Sequence, residues 1–147
     1  LIVAFATNSS AQEGAATAAV KASPALVGEL SKQMGATPEQ SAGAAGALFG
    51  VAKSRLKADE FSQIASAVPG MDSLLKAAPA GGGGGLGAAA GLSQLGGSAG
   101  SMAAAAQAFS KLGLKPEMVS KAIPVLTSFV TKSGGANVGN LLAGALK

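Results

Sequence analysis

Two Ser-x-x-Lys spacings, Ser54 to Lys57 and Ser73 to Lys76, are the residue types best suited to a reaction. On a helix this separation puts both side chains on one face, where a lysine amine could take the serine proton and release a nucleophilic alkoxide. Lys132-Ser133-Gly134 resembles the third motif of the penicillin-recognising enzymes that use this pair. Their chemistry needs that third motif on a strand beside the serine, and a second motif between. No segment alternates as a strand would, and the second motif is missing. Ordinary helical serines and lysines account for these positions.

The other candidate chemistries fail on similar grounds. Gly81 to Gly85 contains G-x-G-x-x-G-like spacings, but a dinucleotide site needs a strand before the glycines and a βαβ unit around them. Here Pro79 and helix-forming alanines precede the run. The seven carboxylates are dispersed, and the adjacent Asp59 and Glu60 point about 100° apart on a helix. Glu39 and Glu117 fit the first turns of helices, where the backbone dipole favours acidic groups. There is no Cys and no His, so disulfides, thiol nucleophiles, the usual zinc sites and a Ser-His-Asp triad are excluded. No catalytic, cofactor-binding or metal-binding residue is assigned, no cofactor is implied, and a non-enzyme is expected.

Charge adds little. The net value is +4, spread along the chain, and only Lys53, Arg55 and Lys57 lie close together. Nucleic-acid binders concentrate cations on one face and interleave aromatics for stacking. This chain has five Phe, no Trp and no Tyr, so a nucleic-acid partner is not expected.

The elements that must position these residues are helices. Ser23-Pro24 reads as an N-cap followed by proline at the first helical position, and Leu26, Leu30 and Met34 recur every four residues up to Gly35. Thr37-Pro38-Glu39-Gln40 has the residues of a capping box. It opens a helix over Pro38–Leu56 with an apolar stripe of Ala45, Leu48, Phe49, Ala52 and Leu56. Asp59 caps a third helix carrying Phe61, Ile64 and Val68, ended by Pro69-Gly70, and a short helix over Met71–Ala78 follows. After the glycines, Ser98 or Ser101 caps a helix through Phe109 and Leu112. Phe49, Phe61, Phe109 and Phe129 are the expected core anchors.

A shift of 78 positions, the distance from Gly35 to Gly113, aligns the halves. Pro38 meets Pro116, Glu39 meets Glu117, Leu48 meets Leu126, Ile64 meets Leu142, and Ala67-Val68 meet Ala145-Leu146. Caps and core positions agree together, which reads as a duplicated helix–turn–helix–loop–helix unit. Gly46 and Pro124 share a mid-helix position and both weaken a helix, so a kink or close crossing is expected in each half. Gly43, Gly46 and Gly50 give the first unit a side-chain-poor face for tight packing. Lys115 replaces Thr37, which removes the second capping box. Ser133-Gly134-Gly135 makes the second loop the more flexible one.

The expected organisation is therefore all-α. Residues 1–11 form the remnant of a signal peptide, 12–79 the first helical unit, 80–100 a Gly/Ala-rich linker and 101–147 the second unit. The leader reading rests on apolar Leu1 to Ala6, polar Thr7 to Ser10, and small residues before a cut after Ala11. The two units are expected to share one core, because neither alone can bury its apolar stripe. Leu48, Phe49, Ile123, Leu126 and Phe129 should be among the most buried residues.

Several blocks in order carry a family resemblance: Ala25-Leu26-Val27 through Lys32, Ala67-Val68-Pro69-Gly70-Met71-Asp72, the glycine-rich middle, Phe109-Ser110-Lys111-Leu112-Gly113-Leu114, and Gly134-Gly135-Ala136-Asn137 before Leu141-Leu142. From about Ser23 to the end, the chain resembles the bacterial uncharacterised family called VcgC/VcgE. The resemblance implies an exported proteobacterial protein, distantly similar to the YidB-like helical proteins, and supplies no site residues.

These readings converge on a non-catalytic, periplasmic or secreted interaction or structural protein of the bacterial envelope. Its expected partner is an unknown protein or envelope component, with self-association as a further expectation. The alternative is a peripheral membrane or lipid-binding protein, suggested by a mean hydropathy of +0.41 and by a stretch without charge from 77 to 110. Gly87-x-x-x-Gly91 and Gly96-x-x-x-Gly100 in that stretch have small-residue helix-contact spacing, but few leucines accompany them to favour insertion.

Overall fold

A helix whose side chains are small all round gains nothing from facing solvent on one side, and it can be enclosed completely. The helix opened by Thr37 is such an element. In the computed structural model, which describes residues 10–78 and 98–147, it runs over Pro38–Arg55 as α3, and Ser41 through Ala52 are all buried. The remaining helices are α1 (Ser10–Ala22), α2 (Pro24–Met34), α4 (Ala58–Ala67), α5 (Met71–Ala77), α6 (Ser98–Lys111), α7 (Met118–Gly134) and α8 (Ala136–Leu146). No strand occurs among the described residues. The helix α3 touches every other described helix, so the expected one-sided stripe is instead an enclosed axis.

Close approach is what makes enclosure work with so little side-chain volume. A Cβ on Gly46 would lie 1.8 Å from the carbonyl oxygen of Leu74, and one on Gly43 would lie 2.8 Å from Leu112 Cδ2 and 3.2 Å from the Ala77 oxygen. The backbone of α5 thus sits directly on the glycine face of α3, as the glycine spacing predicts. Around this axis Leu26, Leu30, Leu48, Phe49, Ile64, Leu74, Phe109, Leu126 and Leu142 are fully buried. Each large side chain of this kind contributes about 1.5–3 kcal/mol relative to exposure.

Local chemistry fixes the ends. Thr37 Oγ1 accepts the Gln40 backbone N–H at 3.2 Å, and Gln40 Oε1 accepts the Thr37 N–H at 3.1 Å, forming the expected capping box. Gly35 and Gly113 both take left-handed backbone, φ +64° and +76°, at the same repeat position. Gln40 Nε2 also donates to the Leu112 carbonyl at 2.8 Å and so joins the two turns. Without a capping box, α7 has no side-chain cap and begins at Met118 instead of Pro116.

Under the 78-residue shift α2, α3 and α4 overlap α6, α7 and α8 in order, with starts that differ by four, two and no residues. Packing across the halves is reciprocal. The helix before each central helix lies on the other half's central helix, α2 on α7 and α6 on α3, and the helix after it does the same, α4 on α7 and α8 on α3. Packing within the halves differs, since α7 and α8 lie along each other while α3 and α4 barely touch.

Several expectations need correction. Ile123 and Phe129 are only partly buried, because the enclosed face of α7 carries Val119, Ala122, Leu126 and Val130. Phe61 is half-buried at the rim, with the Lys53 ammonium 5.9 Å from its ring centre. Lys57, not Asp59, is the N-cap of α4, and its backbone N–H donates to Glu60 Oε2 at 3.0 Å. Ser23 occupies the α2 cap position without capping, because its hydroxyl donates to the Pro69 carbonyl instead. Ser133 and Gly134 continue α7, leaving only Gly135 before α8. The close crossing at Gly46 has no counterpart at Pro124, which is exposed. Ser101 lies inside α6, which takes in residues 98–100 of the stretch read as linker; residues 80–97 lie outside the described residues, as do residues 1–9 of the leader.

Candidate functional site

The serine–lysine pairs are not assembled into a site. Ser54 is exposed and its hydroxyl donates to the Gly50 carbonyl at 3.0 Å, a bond within its own helix. Ser73 is half-buried on α5 and Lys76 is exposed, while Lys132 and Ser133 lie in the exposed last turn of α7. The Glu60 carboxylate is engaged as a cap. Glu117 pairs with Lys115 at 3.9 Å with both side chains 73% exposed, a geometry that contributes little. Among the described residues no group of three or more His, Cys, Asp or Glu could hold a metal ion, and every buried side-chain nitrogen or oxygen has a partner. No helix among them is long and apolar enough to cross a membrane. Gly87, Gly91 and Gly96 of the small-residue spacings lie outside the described residues, and Gly100 lies in α6.

What the fold does build is a groove of about 860 Å³ between α2 and α7. One wall is Ala25, Glu29 and Gln33, spaced one turn apart along α2. The other is the outer face of α7, with Pro124, Val125 and Phe129 in the middle and Lys121 and Lys132 toward the ends, alongside Ser120 and Ser128. Phe129 and Val125 are partly open to solvent, and the three charged side chains are exposed. Pro124 has no N–H to return to the Ser120 carbonyl four residues earlier, so that acceptor lacks its usual helical donor. The site is therefore an apolar floor flanked by two ammonium groups and one carboxylate.

The composition of this wall explains why sequence reasoning assigned Phe129 and Ile123 to the core. Apolar residues occur on more than one face of α7, and the period alone does not say which face is enclosed. Pro124 was the available signal, since a proline and two lysines within one face mark it as the outward one.

A family model described as "Protein of unknown function VcgC/VcgE" matches residues 3–147. No curated protein matches, and no solved structure matches. The distant likeness to YidB-like proteins thus finds no support in these comparisons.

Proposed function

We propose, for a chain that belongs to the VcgC/VcgE family of proteins of unknown function, a non-catalytic role as an exported interaction protein of the bacterial envelope or extracellular space. The observation that carries this reading is the α2–α7 groove, which leaves Phe129, Val125 and Pro124 open between charged rims. The residue types most enzymes rely on, Cys and His, are missing from the chain, and its Ser and Lys candidates stand in ordinary helical surroundings. Export rests on the composition of residues 1–11. The two halves are read as a duplicated unit, supported by the order and overlap of helices under the 78-residue shift, by paired left-handed glycines and by reciprocal packing of α2 on α7 and α6 on α3.

A photo-crosslinking amino acid at Ser128, in the native host, tests the interaction reading. A discrete protein adduct from Ser128, and none from exposed Gln63 on α4, is the expected result. Turnover of a substrate traced to the groove would overturn it. Mass spectrometry of the exported protein should show a mature start at Gln12.

A further inference from the structure

The groove can be compared with the equivalent surface in the other half. Moving each α7 groove residue back by 78 positions gives Ala42, Gly43, Gly46, Ala47, Gly50, Val51 and Ser54 on α3. The first six of these are buried. At Gly46 the covering atoms are the Leu74 oxygen and carbon and the Ala78 nitrogen; at Gly43 they are the Leu112 Cδ atoms and then the Ala77 oxygen. At Gly46, and beside Leu112 at Gly43, this helix face is the seat of α5. In the second half the described residues leave the same face uncovered, and it forms the wall of the groove.

We propose that the α2–α7 groove is a docking site for one amphipathic helix of a partner protein, seated on α7 as α5 is seated on α3. This rests on the interaction and repeat readings above and names the kind of partner. The substitutions on α7 define that helix. Gly43 and Gly46 admit the backbone of α5 to van der Waals distance, whereas Lys121 and Pro124 hold a visitor further off. The docked helix therefore needs large apolar side chains to reach Val125 and Phe129, at i, i+3 and i+7 spacing. Lys121 and Lys132 are eleven residues apart, about 16 Å along α7. Their charge calls for a carboxylate near each end of the partner helix, about three turns apart. Glu29, midway on the α2 wall, disfavours an acidic centre.

The test is titration of the isotopically labelled full-length chain with two synthetic helical peptides of about four turns. Both carry leucines at i, i+3 and i+7; one has glutamates flanking them at eleven-residue spacing, the other lysines. The expected result is saturable amide shifts at Val125, Ser128, Phe129 and Glu29. The glutamate peptide should bind about three- to tenfold more tightly, a preference reversed by the double variant Lys121→Glu, Lys132→Glu. Both lysines are exposed, so the variant retains its fold, as an unchanged amide spectrum elsewhere would verify. Absence of shifts at these residues, equal affinity for the two peptides, or the same shifts produced instead by anionic vesicles or by raising the protein concentration would each overturn the proposal. Adducts from Ser128 without peptide binding would sink the helix class alone and leave the interaction reading standing.

Discussion

Gly46→Ala isolates the contact on which the enclosed helix depends. The added methyl carbon would sit 1.8 Å from the Leu74 oxygen, 2.7 Å from the Leu74 carbon and 3.1 Å from the Ala78 nitrogen. All three are backbone atoms of α5 or its cap, so no rotamer change relieves the overlap, and α5 must retreat by about 1 Å or more. Retreat opens the packing of Met71, Leu74 and Ala77, all buried against α3 and its neighbours. Overpacking of this kind costs about 1–3 kcal/mol, and partial loss of the α5 side chains adds to it. Alanine returns about 1 kcal/mol through helix propensity. With about 1 kcal/mol for that partial loss, a net loss of about 1–3 kcal/mol is expected, read as a lower urea midpoint by circular dichroism at 222 nm with the slope unchanged. Gly28→Ala is the matched control. It is also mid-helix, its added Cβ meets nothing within 4 Å, and it should gain about 0.5–1 kcal/mol. If Gly46→Ala proved as stabilising as Gly28→Ala, the docking of α5 on α3 would be wrong.

Leu48→Asp and Leu126→Asp should each unfold the whole protein, since a carboxylate unpaired at either fully buried position costs several kcal/mol; survival of one half's helical signal while the other melts separately would refute the single core. Thr37→Ala should lose about 1 kcal/mol in the same denaturation assay through loss of the capping box, and a change within error would mean the cap is idle. Gly135→Ala should cost about 1–3 kcal/mol although nothing stands within 4 Å of the added carbon, because φ +92° with ψ 169° is a region essentially closed to residues with a Cβ; neutrality there would disprove the one-residue connection.

Much of the fold was legible because its punctuation is chemical. Gly35, Thr37-Pro38, Pro69-Gly70 and Gly113 each state a local backbone requirement, and the helices begin or end beside them. The glycine face at Gly43 and Gly46 was readable for the same reason. Helix α1 was not, because alanine, threonine and glycine over Ser10–Ala22 set no apolar period; among its described side chains Ala16 and Ala19 are buried and Val20 packs against the core. The complete burial of α3 escaped as well, since small residues score alike whether enclosed or exposed. At the groove, Phe129 looked like a core anchor until neighbouring positions on α7 showed which side the rest of the molecule covers. The capping role of Lys57 has no side-chain signature, and Glu60 was the residue that held the information.

The reciprocal seating of α2 on α7 and α6 on α3 also sets a timetable for the newborn chain. The midpoints of α2 and α7 are nearly a hundred residues apart, so at ribosomal rates of about 5–20 residues per second α2 waits roughly 5–20 s for its companion to be made. Until then α1, α2 and α5 can gather on α3, but the faces of α2 and α4 that meet α7 stay uncovered. Contacts of such long sequence separation are slow to form even in the complete chain. A polypeptide built this way keeps apolar faces uncovered through most of its manufacture, a state in which a chaperone can still seize it. Its helices become a single object only after the last of them has arrived.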